Sequence, residues 1–346
     1  MSLYDLVFEG GGLKGLAYVG ALQALEEADI QPRRVIGSSA GAIAALLVQL
    51  GYSSGQIHQI LTENVDGKSA TTRFFDIPQT FSDAVLDQSS LMAEFRAIDI
   101  PLVPESVESR IDNYVIKRLL KGRLFRAFFS LVECGGLYAG DTFIEWLHQL
   151  MTRRGFAQDL CLAELPTLTI IAADTTLRCK LILNAATAPY MPVAWAVRAS
   201  MSIPFVWQEV VWQADWGTYL GQDMTGHGLV DGGLCSNFAL DQLLAPLAYT
   251  EPYEPVPLLG FILDETLAVP GVEPSRKSNL KIFNRMERLL ETMREGNDRS
   301  VAQRHADIVC ALPCSGYGTL EAIKGKKERA LIAAALAATK AHLALR

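Results

Sequence analysis

Histidine is scarce in this chain. There are five in 346 residues, His58, His148, His227, His305 and His342, and none stands in an evident catalytic loop. Cysteine offers little more. Cys134, Cys161, Cys179, Cys235, Cys310 and Cys314 are scattered, only the last two lie close, and no Cys-x-x-Cys or Cys/His ligand spacing occurs. A disulfide scaffold and a zinc module are thereby disfavoured, and reduced structural cysteines in a cytoplasmic protein are the expectation. The N-terminal Met1-Ser2-Leu3-Tyr4-Asp5 lacks the basic segment and apolar run of a signal peptide. The longest charge-free run, Val35 to Thr62, is interrupted by Gly, Ser, Gln and His, which excludes a membrane span there. A net charge of −7 leaves no overall basic footprint for nucleic acid and argues against simple electrostatic adhesion to an anionic membrane. Internal repeats and low-complexity linkers are also missing. Pro252, Pro255 and Pro257 make a loop rather than a boundary, so residues 1–346 read as one domain.

What is present is a core. Half the residues are hydrophobic and a fifth are charged, enough to bury a large α/β domain. Leu3–Phe8 reads as a buried strand, followed by Gly10-Gly11-Gly12-Leu13-Lys14-Gly15 and an apolar helix to about Ala28, closed by Asp29 and Pro32. Val35-Ile36 is the second strand and Ala40–Leu50 the helix after it. This β-loop-α-β-turn-α opening starts a parallel sheet. Further helices are expected over 54–64, 90–97, 111–120, 141–153 (with Asp141 as N-cap), 192–199, 280–299 and 326–345. Further strands are expected over 167–173, 180–183, 205–216, 229–231, 257–263 and 308–312. Signals are weakest over 51–135, a region suited to a lid, substrate selection or regulation.

The chemistry centres on Gly37-Ser38-Ser39-Ala40-Gly41, a Gly-x-Ser-x-Gly between strand and helix. The flanking Gly37 and Gly41 keep Cβ atoms out of a crowded turn, which pushes the Ser39 hydroxyl over the sheet edge at a helix N-terminus. The earlier glycine loop admits three chemical readings. A dinucleotide site wants an acidic residue at the end of the next strand, and that strand ends in Gly37-Ser38. A P-loop wants a Gly-Lys-Ser/Thr ending, which is absent. The third reading is an oxyanion hole of glycine N–H groups beside the serine turn, since adjacent parallel βα units bring both loops to the same sheet end. A plain packing turn is the simplest alternative.

A nucleophilic serine needs a base. In an α/β-hydrolase the chain order is Ser, acid, His, which leaves His305 and His342, both more ordinary as surface or satisfied histidines. Asp231 ends an apolar Leu229-Val230 segment and precedes Gly232-Gly233, so its carboxylate stands at a strand end. An aspartate in water has a pKa near ~3.9 and is a weak base, and burial beside a hydroxyl raises a carboxylate pKa.

Taken together, Gly10–Gly15, Gly37–Gly41 and Asp231-Gly232-Gly233 resemble the patatin-like phospholipase family. So do Gly135-Gly136-Leu137-Tyr138-Ala139-Gly140-Asp141, Arg198-Ala199-Ser200-Met201-Ser202-Ile203-Pro204-Phe205, and Gly316-Tyr317-Gly318-Thr319 before an Ala-rich helix. The resemblance implies a three-layer α/β/α fold with a central, mostly parallel sheet. It also implies a lipid acyl hydrolase of phospholipase A or lysophospholipase type, working through an acyl-enzyme without histidine, metal or cofactor. Carried onto this sequence, Ser39 is the nucleophile, Asp231 the base, and Gly10, Gly11 and Gly12 the oxyanion donors. Lys14 fixes the loop or receives a lipid phosphate, and Gly15, Gly37, Gly41, Gly232 and Gly233 support the motifs. The implied partners are a phospholipid or lysophospholipid substrate and, transiently, a membrane surface.

Trp195, Trp207, Trp212 and Trp216 cluster before Asp231. Their alternation with Gln and Glu favours a half-buried hairpin over a lipid interface. Lys324–Arg329 reads as a solvated basic turn before the last helix. Three rivals stand beside the main reading: a thioesterase or acyltransferase with a catalytic histidine, an effector silent until a protein or small-molecule activator binds, and a nucleotide-binding non-enzyme.

Overall fold

Leu6, Val7 and Phe8 are all fully buried, so the first strand has apolar neighbours on both faces, as in the middle of a covered parallel sheet. The computed structural model describes residues 2–65, 68–69, 73–81, 83–96, 118, 121–244, 255–273 and 301–346. Its main sheet has eight strands: β1 (Ser2–Phe8), β2 (Ile30–Ser38), β3 (Leu168–Asp174), β4 (Cys179–Leu183), β5 (Val210–Val211), β6 (Gly228–Asp231), β7 (Leu258–Ala268) and β8 (Val309–Ser315). The spatial order is β8-β7-β1-β2-β3-β6-β5, with β4 also on β3. Pairing is parallel from β8 across to β3, and antiparallel for β4, β6 and β5.

The register around β3 decides where the site forms. β4 pairs with β3 from Ile170 to Asp174, occupying one edge. The other edge is shared: β2 covers Leu168–Ile171, and β6 then runs antiparallel along Ala172–Asp174. Ser38 is opposite Ile171 and Asp231 is opposite Ala172. The last residue of β2 and the last of β6 therefore meet at consecutive positions on one strand.

Side chains alternate between two cores with the period of two that a strand imposes. Leu6, Phe8, Val35, Ile170 and Ala172 face a large core, while Val7, Ile36 and Ile171 face a smaller one built with Phe238, Leu240 and Leu243. The helices among the described residues include α1 (Ala17–Glu27), α2 (Ala40–Gln49), α3 (Ser54–Thr62), α4 (Arg123–Cys134), α5 (Asp141–Arg153), α6 (Val193–Ser200) and α7 (Lys326–Ala344), with shorter ones over Asp83–Asp87, Ser90–Arg96 and Asp241–Leu244. The fold class is α/β, a central, mostly parallel sheet flanked by helices. α7 lies close on α1 because Gly20 has no side chain; a Cβ there would sit 2.1 Å from the Ile332 carbonyl oxygen.

Several expectations change. β2 starts at Ile30 and contains Pro32, at a point where its register with β1 slips between Tyr4 and Leu6, so the missing N–H is tolerated. The 205–216 stretch is not one strand but Phe205–Trp207, then β5, then a 3-10 turn at Ala214–Trp216. Asp141 is the first residue of α5 rather than its cap. Gly140 holds that position in the left-handed region (φ 77°), and the Asp76 carboxylate accepts from the N–H groups of Gly140 (2.9 Å) and Thr142 (3.1 Å). The helix expected over 280–299 lies outside the described residues, as does that over 111–120 apart from Arg118. Trp207, Trp212 and Trp216 are buried, and Trp195 packs on Trp216 at 5.7 Å between ring centroids, so these tryptophans belong to the core.

At the amino end of the sheet, Asp5 is fully buried and paired with Arg33 and Arg34. Burial alone would raise its pKa, but the hydrogen bonds from the two arginines outweigh this and hold it below the usual carboxylate range. A depressed folded-state pKa contributes stability that is present above the unfolded value and lost as pH falls through the folded one. Removing this carboxylate takes away the buried anion that both guanidinium groups share. Asp5→Asn is therefore expected to cost about 3 kcal/mol at neutral pH. The gap to wild type in urea melts should narrow as pH drops below ~3.9.

Candidate active site

Ser39 follows β2 directly and sits at φ 52°, ψ −119°, a left-handed conformation that side chains rarely adopt and that costs on the order of 1–3 kcal/mol. Close backbone packing enforces the turn. A Cβ on Gly37 would lie 2.1 Å from the Gly41 carbonyl oxygen, and one on Gly41 would lie 2.2 Å from that of Phe8. The Ser39 N–H donates to Ser200 Oγ (2.9 Å), which itself donates to the Ile171 carbonyl (2.6 Å). Ser39 Oγ donates to Asp231 Oδ2 at 2.7 Å. The other Asp231 oxygen accepts from the Gly233 N–H at 2.7 Å, and the Asp231 N–H donates to the Ser202 carbonyl at 2.9 Å. Both residues are nearly closed off from solvent, Ser39 at 3% and Asp231 at 1% exposure. Gly232 lets β6 approach: its Cβ would fall 2.2 Å from the Ile171 carbonyl oxygen.

The glycine loop lies against this pair. A Cβ on Gly10 would come within 3.0 Å of Ser39 Cβ, and one on Gly15 within 2.9 Å of Ala40 Cβ. The three expected donors become two, because the Gly10 N–H donates to the Asn237 carbonyl at 3.0 Å. Gly11 and Gly12 stand at the start of a 3-10 turn, where N–H groups have no partner within the helix. Neither donates to a partner among the described residues. Gly12 is left-handed (φ 59°), and any side chain there would strike the Thr319 carbonyl oxygen. Lys14 is buried and ion-paired with Glu265, which ties the loop to β7.

The sequence pattern did not single out Asn237, whose Nδ2 donates to the Gly10 carbonyl (2.9 Å) and to Glu9 Oε1 (3.0 Å). A polar residue closely following Asp-Gly-Gly was the available signal. Ser200 was visible only as part of a longer motif. Arg198, in the same motif, is fully buried and reaches the Ala139 carbonyl (2.7 Å) and Ser202 Oγ, with burial lowering its pKa to about 10.

The histidines are elsewhere. His58 bonds Glu328 and His227 bonds Asp174, each at 2.8 Å. His305 precedes the amino end of β8, and His342 lies near Asp307 at that same end, opposite the carboxyl end where Ser39 sits. Among the described residues no group of three His, Cys, Asp or Glu side chains could hold a metal ion, and no helix is long and apolar enough to cross a membrane.

A family model for patatin-like phospholipases matches residues 6–244. The chain belongs to that family. Among its relatives, the uncharacterized protein YqhO of Bacillus subtilis is 31% identical over 318 residues, covering 89% of this chain and 87% of YqhO. A cUMP-AMP-activated phospholipase of Escherichia coli is 34% identical over 93 residues, 24% of this chain and 29% of that protein. Among solved structures, VipD from Legionella pneumophila superposes with a TM-score of 0.49 at 17% identity, covering 99% of this chain and 67% of that one. Membership supports a lipid hydrolase.

In this family member an apolar cavity of about 270 Å³ opens at Ser39 and Gly12. Ile43 and Leu47 of α2, Ile57 and Leu61 of α3, Phe74 and Trp207 supply much of its wall. The described part of 51–135 thus contributes directly to the space beside the serine.

Ser200→Ala leaves the buried Ser39 N–H without an acceptor. It is expected to lower unfolding stability in urea by about 1–3 kcal/mol and to slow phosphonylation of Ser39 by a fluorophosphonate.

Proposed function

We propose that the chain hydrolyses fatty-acyl esters of phospholipids or lysophospholipids, with Ser39 as nucleophile and Asp231 as its base. The observation that carries this reading is the 2.7 Å bond from Ser39 Oγ to Asp231 Oδ2 beside an apolar cavity. In the first half-reaction the Ser39 proton passes to Asp231 while Oγ bonds to the ester carbonyl carbon. The negative charge on the former carbonyl oxygen is met by the N–H groups of Gly11 and Gly12 and by the amino end of α2. Collapse breaks the ester C–O bond, and the departing alkoxide takes the proton from Asp231. In the second half-reaction Asp231 accepts a proton from water as that water attacks the acyl-enzyme. Ser39 then leaves as an alkoxide and recovers the proton.

The fatty-acyl tail lies in the apolar cavity, whose walls match hydrocarbon. Burial contributes about 0.8 kcal/mol per methylene, so a long chain is a strong anchor. Transient contact with a lipid surface is supported by α4, where Leu124, Phe128 and Val132 are exposed at four-residue spacing beside Arg123 and Lys121. Because the Ser39–Asp231 bond is made within this chain alone, the reading is of a constitutive rather than activator-dependent hydrolase. The activator-dependent alternative expected from the sequence has its support in the name of the Escherichia coli relative, a cUMP-AMP-activated phospholipase. A cytoplasmic location is part of the same proposal.

Free fatty acid release from mixed phospholipid vesicles, with a chelator and no added activator, tests the proposal. Wild type should release fatty acid, Ser39→Ala should not, and Asp231→Asn should be slower by about 100- to 10,000-fold. An Asp231→Asn enzyme at wild-type speed would remove the base from the mechanism.

A further inference from the structure

Two cavities lie side by side along one face of α1. The first is the apolar one at Ser39; the second, about 750 Å³, is bordered by Gln23, Glu26, Ser54, His58, Arg329 and Ile332. Val19 borders both. On α3, Ile57 and Leu61 face the first cavity while Ser54 and His58 face the second. On α7, Glu328 faces the first, and Arg329, Ile332 and Leu336 face the second. At the boundary His58 Nε2 lies 2.8 Å from Glu328 Oε1. Glu328 is the one carboxylate among the described residues that line the apolar cavity.

We infer that the His58–Glu328 pair is the wall that bounds the acyl-chain site and thereby sets the acyl-chain length the enzyme accepts. The inference rests on the reading of the apolar cavity as the acyl site. Hydrocarbon pressed against a carboxylate strips its water without replacing the hydrogen bonds, so a growing chain gains nothing by passing this point. The imidazole holds the carboxylate in place and plugs the gap between α3 and α7. Behind the pair, Val19, Ile332 and Leu336 continue the apolar surface along α1. Removing the pair joins the two spaces and extends the path available to the chain.

The test is a ladder of p-nitrophenyl esters from butyrate to stearate, on wild type, His58→Ala, His58→Gln and the double variant His58→Ala/Glu328→Ala. The double variant should move the optimum to longer chains, with the palmitate-to-butyrate ratio of kcat/KM rising roughly tenfold or more, at about fourfold per methylene accommodated. His58→Gln keeps a hydrogen bond to Glu328 and should retain the wild-type optimum. The His58 side chain is 38% exposed, so His58→Ala is expected to fold and to show a smaller shift in the same direction. A second ladder, the affinity for free fatty acids of graded length in the Ser39→Ala background, reads the same wall without turnover. An optimum unmoved in both ladders overturns the inference. A shifted binding ladder in a protein whose wild type hydrolyses no ester supports the wall and overturns only the hydrolase reading.

Discussion

The arrangement depends on one edge of β3 being shared end to end by two strands of opposite direction. β2 occupies the first part and stops at Ser38; β6 arrives from the other side and stops at Asp231, one position further along. Asp231, the last residue of β6, and Ser39, the first residue after β2, meet in the gap between them. Parallel neighbours alone would place serine and aspartate on separate loops with no fixed distance between them. The antiparallel arrival of β6 sets that distance, and the remaining contacts maintain it: Gly232 against the Ile171 carbonyl, Gly233 N–H on the aspartate, and Ser200 between Ser39 and Ile171.

That gap imposes a cost in backbone strain. Ser39 is held at positive φ, and Gly37 and Gly41 pass each other and Phe8 at distances no side chain allows. Such conformations persist only where the surroundings over-determine them. Here the buried strands β1, β2 and β3 do so, with β1 tied to β2 by Asp5 between Arg33 and Arg34. Rigid strand ends then carry Ser39 and Asp231, while the apolar cavity beside them is walled by helices and loops, including α3 and Phe74 from the region with the weakest sequence signals.

Much of this was legible in the sequence because glycine and strand-end signals are local. Gly10–Gly15, Gly37–Gly41 and Asp231–Gly233 each announce a tight turn, and the alternation of strands and helices puts the first two turns at one sheet end. The longer-range contacts were not legible. Nothing local in Gly10 reveals that its N–H belongs to Asn237, or that Asp76 rather than Asp141 serves the start of α5. The break at Gln208-Glu209 in the 205–216 stretch follows from β5 joining β6 and Phe205–Trp207 joining Gly136–Tyr138, a change of partner that propensity does not encode. The pairing of His58 with Glu328 across 270 residues of chain is likewise a product of α3 and α7 packing on a common helix.

The central claim is that Asp231, and no histidine, activates Ser39. The most direct measurement is the rate and position of labelling by a fluorophosphonate, followed by peptide mapping, in wild type, Asp231→Asn and a variant lacking His305 and His342. The account predicts a single adduct on Ser39, formed at least tenfold more slowly in Asp231→Asn and at the wild-type rate in the double histidine variant. An adduct on another residue, or labelling that collapses with the histidines and survives the loss of the carboxylate, would contradict it.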